Sequence, residues 1–358
     1  MSSSSKLILP GDRVAVPIPE AHGVGVTLLR TAGCPADTAD AIIDHLIDAD
    51  LCGVESHGIV RALQYHDEYK SGYIRTDATA EVSVGGGSTL SVDGKGGLGI
   101  PAMLTATEAG IKAAQAQGIA AVGVRNTGHT GRLGAFAEMA AAARCLFIAC
   151  GGGARDRWRM VTPHGGRRAV LPTNPWCLGI PGGAQGPVIL DCATGQLAGG
   201  WIYAARRAGA QLPAGALVDR DGRPTQKPED YFAGGAILPK GGVLGYGLAT
   251  MGELICDAML GPATVECNTF LLNVDTGRYR EASALQNAAE AILDGLRNCP
   301  PAEGFERVEV PGERETSRRA ASAQLNLPVR YGRRCAPDPA ATSRSSRRPA
   351  QLKGSENR

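Results

Sequence analysis

Ser56, His57 and Gly58, with Arg61 four residues beyond the histidine, are the first residues whose types and spacing could do chemistry. On one continuous helix, positions i and i+4 share a face, so the imidazole and the guanidinium would open onto one hollow. Histidine exchanges protons near neutrality, and a guanidinium holds a carboxylate through two parallel hydrogen bonds. With a hydride donor added, such a pair suits reduction of a carbonyl next to a carboxylate, and Ser56 could hold the imidazole in place. The competing reading is an ordinary solvated helix face, and spacing alone favours it.

Two further clusters carry reactive types. Asn126-Thr127-Gly128-His129-Thr130-Gly131-Arg132 lies between an apolar run and an Ala-rich segment. Backbone N–H groups at such a strand-to-helix turn attract phosphate or carboxylate, and His129 and Arg132 could add a proton or a charge. A glycine turn with a helix cap is the plain alternative. Thr173-Asn174-Pro175 precedes Asp191-Cys192-Ala193-Thr194, where Asp191 ends the apolar run Val188 to Leu190. A carboxylate there could orient a histidine or cap a helix. Gly97-Leu98-Gly99-Ile100-Pro101-Ala102 fits GxGxxA, but no acidic partner about 20 residues on ends a strand. With 49 glycines in the chain a lone match is weak, and we do not read a Rossmann site there. No GxSxG, HExxH or Walker sequence is present.

The elements that must position these groups follow from periodicity. Pro35 to Gly53 reads as a helix, with Ile42, Ile43, Leu46, Ile47 and Leu51 at helical spacing. A second helix is expected from Ser56 to about Lys70. Ala80 to Val84 and Thr89 to Val92 read as strands joined at Gly85-Gly86-Gly87. Pro101 to Gln117 is helical, Ile119 to Val124 a strand, Leu133 to Ala143 a helix and Leu146 to Cys150 a strand. Leu178 to Ile180 and Val188 to Leu190 are expected strands. Tyr246 to Leu260 is expected to be a buried helix, Thr269 to Val274 a strand, Ala282 to Arg297 a helix and Phe305 to Val310 a late strand. This alternation argues for a mixed α/β fold.

Composition narrows the classes. The chain has 358 residues and a formal charge of +2, which makes no general case for nucleic acid or membrane. Ten cysteines without a CxxC exclude a zinc-type spacing. Without a secretory signal they suggest a cytoplasmic protein with free thiols. No run approaches the ~18 apolar residues of a membrane span. Tyr331 to Arg358 holds six Arg and one Lys against one Asp and one Glu, and is expected to be a disordered basic tail.

Taken in order, the motifs resemble the malate/L-lactate dehydrogenase family of non-Rossmann oxidoreductases, which includes sulfolactate, ureidoglycolate and Δ1-piperideine-2-carboxylate enzymes. The resemblance runs from about Pro35 to Val329. It begins at Ala49-Asp50-Leu51-Cys52-Gly53-Val54-Glu55-Ser56-His57-Gly58 and passes through Gly128-His129-Thr130-Gly131, Thr173-Asn174-Pro175 and Asp191-Cys192-Ala193-Thr194. It goes on through Leu212-Pro213-Ala214-Gly215, Asp219-Arg220-Asp221-Gly222 and Gly245-Tyr246-Gly247-Leu248, and closes at Val310-Pro311-Gly312-Glu313-Arg314.

The resemblance implies an L-sulfolactate dehydrogenase-like fold with a helical substrate-side domain and a largely antiparallel mixed sheet. It implies NAD or NADP as cofactor, a small 2-oxo or 2-hydroxy acid or a cyclic imine acid as substrate, and a homodimer with the active site at the interface. The expected divisions are residues 1–118 (substrate side), 119–270 (cofactor), 271–330 (packing back on the first) and the tail 331–358. His57 matches the proton donor, with Ser56 and Asp191 as relay partners, and His129 is the second acid/base candidate. Arg61 matches the carboxylate clamp, Thr173 a pocket residue, and His129, Thr130, Gly131, Arg132, Leu133 and Arg314 the cofactor contacts. Two departures, Leu244 where the family has lysine and Gly195 where it has serine, leave a degenerate, non-catalytic ligand-binding member as the alternative.

Overall fold

The computed structural model describes residues 13–153 and 157–328. The chain runs β1 (Arg13–Pro17), α1 (Ile18–Thr31), α2 (Ala36–Leu51), α3 (Arg61–Lys70), β2 (Glu81–Gly86), β3 (Thr89–Gly97), α4 (Gly99–Gln117), β4 (Ile119–Thr127), α5 (Leu133–Ala142) and β5 (Cys145–Gly152). It continues through β6 (Trp176–Ile180), β7 (Val188–Cys192), α6 (Gly199–Ala208), β8 (Leu217–Val218), β9 (Pro224–Thr225), α7 (Pro228–Phe232), β10 (Ala236–Ile237), α8 (Val243–Glu253), β11 (Cys267–Asp275), α9 (Ala282–Arg297), α10 (Glu313–Ala321) and β12 (Gln324–Pro328).

The central sheet has seven strands in the order β2-β3-β4-β11-β5-β6-β7. Only β3 and β4 run parallel; every other neighbouring pair is antiparallel. The mixed, largely antiparallel sheet is therefore as expected. It takes strands from both sides of residue 118, and β11 spans residue 270.

Side chains alternate along β3, buried at Leu90 and Val92 and more open between them. The inward ones meet Met103 and Ala106 of α4 and Phe136 and Ala140 of α5 in the largest core. A second core joins α1, α2 and α3 through Leu29, Ile42, Leu46 and Tyr65, with Ile100 from α4 and Leu325 from β12. A third, smaller one gathers Val161, Ile202 of α6, Leu212 and Ile237 around the three-stranded sheet β10-β8-β9.

Three expected elements differ. The helix expected from Ser56 to Lys70 is interrupted: Glu55–His57 is one 3-10 turn, Gly58 is extended, and α3 begins only at Arg61. The Asp50 carboxylate accepts the Ile59 N–H at 2.7 Å and so takes a donor that a continuous helix would need. The helix expected at Tyr246 to Leu260 begins at Val243 and passes into a π-helical stretch, Leu254–Met259. It is not buried all round, since Met251, Leu254 and Met259 are at least half exposed. Phe305 to Val310 forms no strand: Phe305 is exposed, and the Val310 N–H is held by the Glu313 carboxylate at 2.9 Å instead of by a neighbouring strand. The basic tail lies outside the described residues. None of the helices among the described residues is long and apolar enough to cross a membrane.

Candidate active site

His57 and Arg61 come together by a different route from the expected helix face. The 3-10 turn presents Ser56 and His57, and Ser56 Oγ lies 2.9 Å from His57 Nδ1. Arg61, at the first position of α3, reaches back so that Nε donates to the Ser56 carbonyl at 2.7 Å, while Nη1 donates to Gln64 at 2.5 Å. Gly58 has no room for a side chain, because a Cβ there would lie 1.9 Å from Asp50 Oδ1. Gly200, in the first turn of α6, sits across from this pair: its Cβ position is 3.7 Å from Ser56 Cβ and 3.9 Å from Arg61 Nη2. The positive end of a helix thus adjoins the guanidinium.

His129 arrives from the loop between β4 and α5. Its ring stacks on His57 with centroids 5.2 Å apart. The Gly131 N–H donates to His129 Nδ1 at 3.2 Å, and Tyr65 Oη lies 2.7 Å from the same nitrogen. A backbone N–H can only donate, so Nδ1 is the acceptor and the neutral ring carries its proton on Nε2.

The GxGxxA stretch holds this loop. Gly128 N–H donates to the Gly97 carbonyl at 2.8 Å and Gly99 N–H to the His129 carbonyl at 3.0 Å. A Cβ on Gly99 would stand 2.5 Å from the Gly128 oxygen, so these glycines serve close backbone approach within the protein.

Electrostatics keep both rings neutral. His57 is pushed down to about 3 by loss of hydration first and then by Arg61, His45 and Arg132. His129 is held well below the usual imidazole range by the same loss of hydration, with Arg61 and His57 adding to it.

The other expected residues are placed as follows. Arg132 is buried, and its Nη2 bonds Asp48 at 2.7 Å and Glu138 at 3.1 Å; Arg319 of α10 shares both carboxylates. The Arg132 backbone N–H donates to His45 Nε2 at 2.9 Å. Asp191 Oδ2 accepts the Gly134 N–H at 2.7 Å in the first turn of α5, and among the described residues no hydrogen bond joins it to either site histidine. The Arg132 and Gly134 N–H donors at the start of α5 are thus engaged within the protein.

Thr130 and Leu133 are buried beside this loop. The Thr173 carbonyl accepts from both the backbone and the hydroxyl of Thr194, at 2.9 and 2.8 Å. Arg314 pairs with Glu309 through Nε at 2.8 Å. Leu244 is 68% exposed on α8, and a Cβ on Gly195 would press on Val161 and Ile237 at 3.1 and 3.2 Å.

Sequence reasoning missed five residues around the histidines. His45, 7% exposed on α2, stacks on Phe136 and supports Arg132. Tyr65 holds His129, and Asp50 holds the 3-10 turn. Glu68 and Glu266 flank Arg61. His45 did carry a signal, as a polar residue inside an apolar helical stripe. Tyr65 stands one helical turn beyond Arg61. Glu266 carries none.

Comparison with known proteins gives a consistent result. The profile of the malate/L-lactate dehydrogenase family matches residues 16–332. An L-lactate dehydrogenase of Cupriavidus necator is 32% identical over 319 residues, covering 84% of this chain and 90% of its own. A Δ1-pyrroline-2-carboxylate/Δ1-piperideine-2-carboxylate reductase of Pseudomonas putida is 33% identical over 248 residues, covering 69% of this chain and 72% of its own. Among solved structures, a dehydrogenase from Sinorhizobium meliloti superposes with a TM-score of 0.81 at 30% identity, covering 93% of this chain and 98% of that one.

Proposed function

This chain belongs to the malate/L-lactate dehydrogenase family, and on that premise we propose how its site divides the work of an oxidoreductase acting on a small 2-hydroxy or 2-oxo acid or an imine acid. The observation that carries the reading is the stacked His57–His129 pair set beside Arg61 and the first turn of α6.

Arg61 receives the substrate carboxylate, aided by the positive end of α6. A nicotinamide, when bound, supplies or accepts the hydride. The donor set fits such a partner, because the fixed tautomer of His129 presents an Nε2–H and Thr130 to Leu133 form a closely packed wall next to it. His57, held by Ser56, carries the proton to and from the substrate oxygen or nitrogen. Arg61 is the largest charged contributor to the low affinity of both rings for protons. A carboxylate bound there cancels that repulsion, so substrate binding itself raises the proton affinity of His57. In the oxidative direction the neutral imidazole is already the competent base.

Three finer readings complete the proposal. Thr173 borders the substrate. Arg314 reaches the cofactor only after exchanging Glu309. The chain forms a homodimer, for which the apolar stripe Val243, Leu244, Met251, Leu254 and Met259 offers a surface. Nine free thiols among the described residues support a cytoplasmic setting.

The decisive experiment is a panel of pyruvate, oxaloacetate, sulfopyruvate and Δ1-piperideine-2-carboxylate with NADH and NADPH, following consumption of the reduced nicotinamide. It also settles cofactor preference. Arg61→Ala is expected to cost ~2–5 kcal/mol in kcat/KM, and a change within about threefold rejects the clamp on the same scale of tenfold per 1.4 kcal/mol. His57→Ala is expected to lower kcat by about 10²–10⁴. If His129→Ala does so and His57→Ala does not, the two roles exchange.

A further inference from the structure

The charge around Arg61 is lopsided. On α3, Gln64 links the guanidinium to Glu68, accepting from Arg61 at 2.5 Å and donating to Glu68 Oε1 at 2.7 Å. A second carboxyl group belongs to Glu266, the residue before β11, whose N–H is tied to the Thr127 carbonyl at 3.0 Å. Its carboxyl group meets the backbone amide of His129, and Glu68 and Arg61 are the charges acting on it. Oε2 of both glutamates is buried and, among the described residues, has no hydrogen-bond partner.

Tyr65 and Tyr73 face the same pair, and Cys267 follows Glu266 with its thiol donating to the Gly128 carbonyl at 3.7 Å. Arg157, the other nearby guanidinium, is engaged by the Thr264 and Val265 carbonyls at 3.1 and 2.6 Å. Arg61 is the cation that acts on both carboxyl groups, and water does not reach their inner oxygens.

We propose that Glu266, backed by Glu68, is a specificity-determining residue that admits acids with a single anionic group to the Arg61 site and turns away dianions. The inference rests on Arg61 as the carboxylate site and narrows the substrate class. A monocarboxylate uses the positive charge of Arg61 and brings nothing else to repel. A second carboxylate or sulfonate on so small a molecule stays close to Arg61, where Glu68 and Glu266 also act, and poorly hydrated like charges repel strongly. Burial and Glu68 together lift the Glu266 carboxyl to about 7, so the filter is fully charged only above neutrality.

Oxamate and oxalate test this directly, since they have nearly the same shape and carry one and two negative charges. Their dissociation constants are measured by calorimetry at about pH 8, above the value near 7 for Glu266, on full-length protein saturated with reduced nicotinamide. Wild type is expected to bind oxamate at least about tenfold more tightly than oxalate, a gap of ~1.4 kcal/mol. Glu266→Gln should narrow the gap to within about threefold by tightening oxalate alone. Glu68→Gln provides a second variant with the same expected direction, and thermal melts of both variants report folding.

Equal binding of the two acids by wild type, or an equal shift of both in the variants, overturns the charge filter and leaves the Arg61 reading standing. Binding of neither acid overturns both.

Discussion

Position 58 shows how little room the site leaves at the scale of a residue. Gly58→Ala would drive a methyl group into the Asp50 carboxylate and break its bond to the Ile59 N–H. We expect kcat/KM to fall at least tenfold, the equivalent of ~1.4 kcal/mol lost from the hold on His57. An unchanged kcat/KM would show that Asp50 does not set the position of the imidazole.

Acid lability belongs to the same scale. His45 is lowered to about 4, chiefly by burial. The unfolded chain binds its proton more readily, so the stability His45 contributes is complete above about 6.5 and is lost as pH falls toward 4; that loss is roughly 3 kcal/mol. Asp50 is raised to about 7 by burial and opposes this trend, since the folded state prefers its protonated form and loses stability as pH rises toward 7. Urea titrations from pH 7 to 4 should therefore show a flatter acid limb for His45→Gln and a steeper one for Asp50→Asn. The reverse order of slopes would refute both assignments.

The residues legible in the sequence were those in polar clusters: Ser56, His57, Arg61 and His129 sit among glycines and other polar groups. Glu266 has no other charged residue near it between Asp257 and Asp275, and its importance arises only when β11 brings it beside α3.

At the scale of elements, local periodicity located most helices and strands but not the points where tertiary contacts override it. The helix Ala282–Arg297 coincides with its sequence pattern because that pattern is complete within itself. The break at Gly58 was invisible because Asp50, its cause, lies on the preceding helix. The loss of the expected strand at Phe305 to Val310 has a similar origin in the Glu313 side chain. The relay role that the resemblance implies for Asp191 likewise turns on remote placement, and its carboxylate accepts the Gly134 N–H in the first turn of α5.

Arg132 ties α5 to α2 from inside, with Arg319 of α10 on the outer side of the same carboxylates. Arg132→Met removes the buried partner of Asp48 and Glu138. We expect a loss near ~3 kcal/mol, the low end for breaking a buried pair, because Arg319 remains and the acids are partly hydrated. Denaturant unfolding measures it, and a loss under about 1 kcal/mol would reduce the network to a surface pairing.

At the scale of the whole molecule, the site is assembled from remote parts of the chain: the turn after α2, the start of α3, the loop before α5, the first turn of α6 and the lead into β11. The mixed sheet was legible as a class, since alternating patterns mark each strand. Its order was not, because β11 inserts between β4 and β5 after more than a hundred intervening residues. The stripe along α8 and its π-helical extension leaves large apolar groups in water, which single chains seldom tolerate in one patch. Leu254→Glu together with Met251→Glu is expected to convert a dimer to a monomer in light scattering, while a wild type that is monomeric at all concentrations would remove the dimer from the proposal.

The first and last described strands, β1 and β12, lie side by side, with Arg13 opposite Pro328 and Pro17 opposite Gln324. A ribosome releases these two partners far apart in time. The segments bearing His57 and Arg61 emerge soon after β1, yet the strand that closes their layer, with Leu325 filling its core, follows long afterwards. A nascent chain stalled before Gln324 would thus carry the site's residues without the clasp that finishes the layer beneath them. Catalytic competence should appear only once β12 has emerged.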